Sequence, residues 1–113
     1  MSSSAVTQDL PPLCYSTLAE DPDLAEIVEM FVQEMPDRVA NLLRRFDARE
    51  LNELERAAHQ IKGAAGSYGF HQLTPSAARL EALVKQRRPE DEIKAALNEL
   101  VALCQGVRAG TPH

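Results

Sequence analysis

One stretch of this sequence has the residue types for group transfer: His59-Gln60-Ile61-Lys62-Gly63-Ala64-Ala65-Gly66-Ser67-Tyr68-Gly69. It sets an imidazole beside a length of chain almost bare of side chains. A neutral imidazole keeps a lone pair on one ring nitrogen near pH 7 and can act as a nucleophile. Lys62, one helical turn on, can hold an ammonium against an anion attached to that ring, and Arg56, one turn before, adds to the same positive field. Gly63 and Gly66 follow one and two turns ahead on the same side. An interior helical glycine costs about 1 kcal/mol relative to alanine, so a pair of them there implies that something approaches closely. Nucleophile, cation and open landing strip together describe a site that takes a phosphoryl group presented by another protein.

The parts of a self-sufficient kinase are missing. The chain has no Gly-x-x-x-x-Gly-Lys-Ser/Thr loop or other nucleotide cradle, so it is not expected to phosphorylate itself from ATP. It has no dense carboxylate cluster for Mg²⁺. His71 and His113 lack paired ligands one turn away, and Glu55 stands four residues from His59 rather than in the Glu-x-x-His spacing of bundle metal sites. No metal centre is expected. No nucleophile elbow supports hydrolysis by a Ser/His or Cys/His pair.

A chain of 113 residues is long enough for one domain with its own core. It is 44% hydrophobic but only 4% aromatic, without Trp, so the core must be aliphatic, which suits packed helices. A net charge of -5 argues against nucleic acid or an anionic membrane surface as partner and favours a protein. With no secretory segment or long apolar run, a cytoplasmic protein is expected. Cys14 and Cys104 have no metal-ligand spacing and read as reduced thiols, Cys104 a small core residue and Cys14 incidental.

The elements that position the histidine follow from apolar periodicity. Leu24, Ile27, Val28, Phe31 and Val32, then Val39, Leu42, Leu43 and Phe46, recur at helical steps, with Asp21-Pro22 as cap and first position and Pro36 expected to kink or split the element. Asp47 is a plausible cap for a second helix with core stripe Leu51, Leu54, Ala58, Ile61 and Ala65, stopped by a left-handed Gly69. At about 100° per residue, His59 falls at the edge of that stripe, open to solvent. A third helix starts between His71 and Pro75 and carries Leu73, Ala77, Leu80 and Val84. A fourth carries Ile93, Leu97, Leu100, Val101 and Cys104 and ends at Gly106. Strand signals are nearly absent. The expected fold is all-α, an antiparallel up-and-down four-helix bundle over residues 13–106, with a short helix or tail before it. Residues 1–12 and 107–113 read as flexible tails.

His59-x-x-Lys62-Gly63-Ala64-Ala65-x-x-x-Gly69 resembles the core motif of the bacterial histidine-containing phosphotransfer (HPt) domains, and the helical pattern from about Asp21 to Gly106 is similar to their four-helix bundle. The resemblance implies that His59 accepts and donates the phosphoryl group, that Lys62 stabilises its oxygens, and that Gly63 gives a partner receiver domain clearance. Gly69 would serve the turn after the helix, and Glu81 lies where some members place a polar residue that hydrogen-bonds the imidazole. Arg56 and Gly66 are expected to share in docking, and Phe31, Glu34 and Arg38 in partner selectivity. The implied partners are receiver domains of a hybrid histidine kinase and of a response regulator, the receiver supplying both the aspartate and the Mg²⁺. The protein is then a monomeric phosphocarrier without kinase activity of its own, and its initiating Met1 and terminal tail suggest a free-standing chain. An adaptor that binds a receiver or kinase without being phosphorylated would share this fold; the presence of both His59 and Lys62 favours the relay.

Overall fold

The computed structural model describes residues 13–110, which form four helices and one short parallel strand pair. Helix α1 spans Ala25–Asp47, α2 Leu51–Ser67, α3 Leu73–Lys85 and α4 Glu90–Gln105. Their apolar stripes meet in one core of Val28, Phe31, Met35, Leu42, Leu54, Ile61, Leu80, Leu97 and Leu100 with their neighbours. The aromatic content is concentrated at one end, where Phe31 stacks on Phe70 with ring centroids 5.2 Å apart and meets Tyr68 at 5.3 Å. Side-chain pairs fix the helix directions. Arg87 reaches Asn52 while Glu81 reaches His59, so α2 and α3 run antiparallel.

Pro36 does not split the first element, which is a single helix of 23 residues. It lies on an exposed flank, so its missing N–H removes one helical hydrogen bond without disturbing the buried face. Regular helix also begins later than Asp21-Pro22 suggests. The Asp21 carbonyl accepts from the amides of Leu24 and Ala25 and its side chain from Asp23, which makes a lead-in turn. Asp47 closes α1 instead of capping α2, and α3 begins at Leu73, with Pro75 in a first turn where no amide donor is needed.

Three helices end in the same hydrogen-bonded motif. The amide of Glu50 donates to the Arg45 carbonyl, that of Phe70 to Ala65 and that of Arg88 to Leu83, each across a residue of positive φ. Gly69 holds that position with φ 82°, but Arg49 and Arg87 hold the others with φ 59° and 54°. A left-handed non-glycine residue costs about 1–2 kcal/mol. Both arginines offset this with one local and one long-range bond: Arg49 to the Phe46 carbonyl and to Glu90, Arg87 to the Val84 carbonyl and to Asn52. Gly106 ends α4 with φ -90° and needs no glycine freedom.

The chain flanking the bundle is structured where a tail or helix was expected. Strand β1, Cys14–Tyr15, pairs in parallel with β2, Val107–Arg108. Val107 is buried, so the expected flexible tail does not start at residue 107. A pair of two-residue strands has no periodicity to read. Cys14 is not incidental either: it is 1% exposed, in the core beside β2. Burial pushes the Cys104 thiol up to about 12, and both cysteines are unpaired. The expected tail over residues 1–12 and the last three residues lie outside the described residues. Among the described residues, no helix is long and apolar enough to cross a membrane.

Candidate phosphotransfer site

His59 projects from the middle of α2 at the edge facing α3, its side chain 65% exposed. The stripe Leu54, Ala58, Ile61 and Ala65 is buried in the core, and that anchoring fixes the azimuth of the imidazole. Across the α2–α3 seam, Glu81 rises from α3 with only 14% of its side chain exposed. Its Oε2 lies 2.8 Å from His59 Nδ1, and its Oε1 accepts from Lys62 Nζ at 2.7 Å. One carboxylate therefore bridges the imidazole and the ammonium.

The Lys62 hydrogen bond holds the Glu81 carboxyl below the usual carboxylate range, and the His59 contact acts in the same direction against partial burial. An ionised carboxylate only accepts hydrogen bonds, so in the neutral imidazole the proton sits on Nδ1 and the lone pair on Nε2. Nε2 is the nitrogen available to an incoming electrophile. When it is attacked the ring acquires positive charge, and Glu81 already stands against the ring to balance it.

Gly63 and Gly66 both face open space: a Cβ built at either would meet nothing within 4 Å. Neither glycine is there to let two helices of this chain pack closely. Gly69 has the opposite character. A Cβ there would stand 2.6 Å from Ser16 Oγ and 2.9 Å from Thr17 Oγ1. The segment after β1 crosses this corner, with Ser16 Oγ donating to the Tyr68 carbonyl and the Thr17 amide to the Gly69 carbonyl. Gly69 thus serves the turn and the seating of the N-terminal segment, at a distance from the imidazole.

Arg56 is 69% exposed, with Glu53 at 3.8 Å as its ion-pair partner. Together with Asn52, Glu55, His59 and Glu81 it lines an open depression on the N-terminal side of the imidazole. One tie to a residue lining this depression was not legible in the sequence. Arg87 donates to Asn52 Oδ1 at 2.7 Å, tying the end of α3 to the start of α2, and Pro89 just beyond was the one sign of a helix end there. Phe31, expected to share in partner selectivity, is not open to a partner. It is 1% exposed, and Arg38 stacks over its ring at 5.5 Å while pairing with Glu34 at 3.2 Å. Among the described residues no group of three or more His, Cys, Asp or Glu side chains gathers in the manner of a metal site.

The model of the Hpt domain family matches residues 26–110, from the start of α1 past β2. The chain belongs to the Hpt domain family. The Hpt match encloses the whole His59, Lys62 and Glu81 constellation and all four helices. The chain is also similar to the chemotaxis protein CheA of Salmonella typhimurium, with 31% identity over 74 residues, covering 58% of this chain and 11% of the relative. The chain thus matches about a tenth of that relative's length. No solved structure matches it. Membership places this Hpt domain in histidine phosphotransfer within two-component signalling.

Proposed function

We propose that this Hpt domain relays phosphoryl groups between aspartates of receiver domains, with His59 as the phosphorylated residue. The observation that carries the reading is the exposed imidazole whose Nδ1 is held by a carboxylate and whose Nε2 is left open. The Nε2 lone pair attacks the phosphorus of an aspartyl phosphate in line. A P–N bond forms as the acyl O–P bond breaks, and the donor keeps its carboxylate. The proton on Nδ1 stays between the ring and Glu81, whose charge offsets the positive ring. The reverse step delivers the group to a second receiver's aspartate.

Lys62 steadies the carboxylate and directs its remaining N–H donors at phosphoryl oxygens, since an ammonium has three and Glu81 takes one. Gly63 and Gly66 form the clearing on which a receiver lies, with Arg56 at its edge. Catalysis is then mostly positioning and charge stabilisation, the receiver bringing the aspartate and the Mg²⁺. The domain acts as a cytoplasmic monomeric phosphocarrier, charged by a hybrid kinase's receiver and discharged to a response regulator, with no kinase activity of its own.

The test is transfer itself. A phosphorylated receiver domain is mixed with wild type or His59→Gln in Mg²⁺, and acid-labile, base-stable phosphate is followed on each chain. Label on wild type alone is expected. Binding without label across a panel of receivers would make the protein an adaptor that only occludes its partner.

A further inference from the structure

We infer that Arg56 is the side chain that grips the phosphoryl group once it is on His59, a step that rests on the relay reading above. Side chains on a helix lean toward its N-terminus. The His59 imidazole therefore overhangs the turn containing Glu55 and Arg56, not the turn containing Gly63. The concavity agrees, because the depression beside the ring is lined by Asn52, Glu55, Arg56, His59 and Glu81. A group added to the outward-facing Nε2 has that depression next to it.

The charges there call for a cation. Glu55 and Glu81 both line the depression, and a phosphoryl group brings further negative charge beside them. Lys62 is drawn to the seam by its 2.7 Å bond to Glu81 Oε1 and is half-buried. Among the described residues Arg56 pairs with Glu53 alone, at 3.8 Å and with both side chains well exposed, and such a pair restrains a guanidinium little. Its planar fork matches two phosphoryl oxygens, which an ammonium cannot do in the same bidentate way. Lys62 then sets up the nucleophile through Glu81 and meets the phosphoryl oxygens from the seam, while Arg56 grips the transferred group from the open side.

The experiment removes the partner. Wild type, Arg56→Lys and Arg56→Gln are phosphorylated with the small donor phosphoramidate, and the ionisation of the phosphoryl group is followed by phosphorus NMR against pH. A nearby cation favours the dianion, so Arg56→Gln should bind the phosphoryl proton about threefold more tightly or more, with Arg56→Lys in between. High salt should shrink the difference, as the contact is exposed. Equal ionisation in all three proteins would overturn the inference while leaving the relay intact. Equal ionisation together with slower transfer from a receiver in Arg56→Gln would assign Arg56 to docking instead. Failure of wild type to carry any phosphoryl on His59, from phosphoramidate or from a receiver, would overturn the relay reading and this inference together.

Discussion

Glu81 Oε2 lies 2.8 Å from His59 Nδ1, a contact between side chains 22 residues apart that leaves Nε2 as the ring nitrogen with a free lone pair. Because the same carboxylate takes Lys62 on its other oxygen, the ring, the carboxylate and the ammonium form one hydrogen-bonded unit on the α2–α3 seam.

Removing that carboxylate should slow transfer without unfolding the bundle. Glu81→Ala leaves Nδ1 without its acceptor, and the loss of a charge-assisted hydrogen bond of roughly 1.5–3 kcal/mol corresponds to a rate lower by about 10- to 150-fold. Glu81→Gln keeps an oxygen that accepts from Nδ1 and should fall less. Rapid-quench transfer from a phosphorylated receiver measures both; equal rates for all three proteins would show that Nδ1 needs no partner.

The same residue gives a pH signature. Lys62 and then His59 hold the Glu81 carboxyl below its usual range in the folded state, so the unfolded chain binds this proton more readily. The stability contributed is complete above the unfolded carboxyl's titration at about pH 4.3 and is lost as pH falls through the lower folded value. In a His59→Gln background, which removes the imidazole's own titration, melting of Glu81 and Glu81→Gln proteins should differ by a constant amount from pH 7 to 5. The two should converge in stronger acid. A gap that persists to the lowest pH would contradict a specially held carboxylate.

Gly63 separates internal from external reasons for a glycine. A side chain there meets nothing within 4 Å, so Gly63→Ala should stabilise the helix by up to about 1 kcal/mol. Gly63→Phe should still fold but weaken receiver binding by about tenfold or more, about 1.4 kcal/mol. Calorimetric melting and titration with a receiver check the two arms, and loss of the fold in Gly63→Phe would place the constraint inside the chain.

Gly69 should behave in the reverse way. Its φ of 82° and the crowding of Ser16, Thr17 and Leu18 against any Cβ make Gly69→Ala destabilising, by about 1–3 kcal/mol. In a domain of this size each kcal/mol lowers the melting temperature by roughly 4–8 °C. A Ser16→Ala, Gly69→Ala pair should be less damaging than the sum of the singles, since Ser16 Oγ is the nearest obstacle. Strict additivity would contradict the contact.

The four helices and the histidine were legible because they rest on long apolar periods and on a motif packed into eleven consecutive residues. Helix ends were less so. Arg49 and Arg87 occupy left-handed positions where no glycine or asparagine signals a stop, stabilised by local bonds to Phe46 and Val84 and by contacts with Glu90 and Asn52 that only tertiary placement supplies. Asp21 and Asp47 have the right chemistry for caps but serve a lead-in turn and a helix end. The β1–β2 pairing joins chain ends 93 residues apart through Cys14 and Val107, and two-residue strands leave no pattern. Phe31 fits the apolar stripe of α1, and its burial beneath Arg38 follows from the ring cluster with Tyr68 and Phe70, a long-range contact.

The nitrogen that carries the phosphorus is the most direct test. Nitrogen-resolved NMR of histidine-labelled protein, before and after phosphorylation by a receiver domain, reports which ring atom of His59 is modified. Phosphorylation at Nε2, with Nδ1 still protonated against Glu81, is the expected result. Phosphorylation at Nδ1, or an unmodified His59 while label resides elsewhere in the chain, would contradict it.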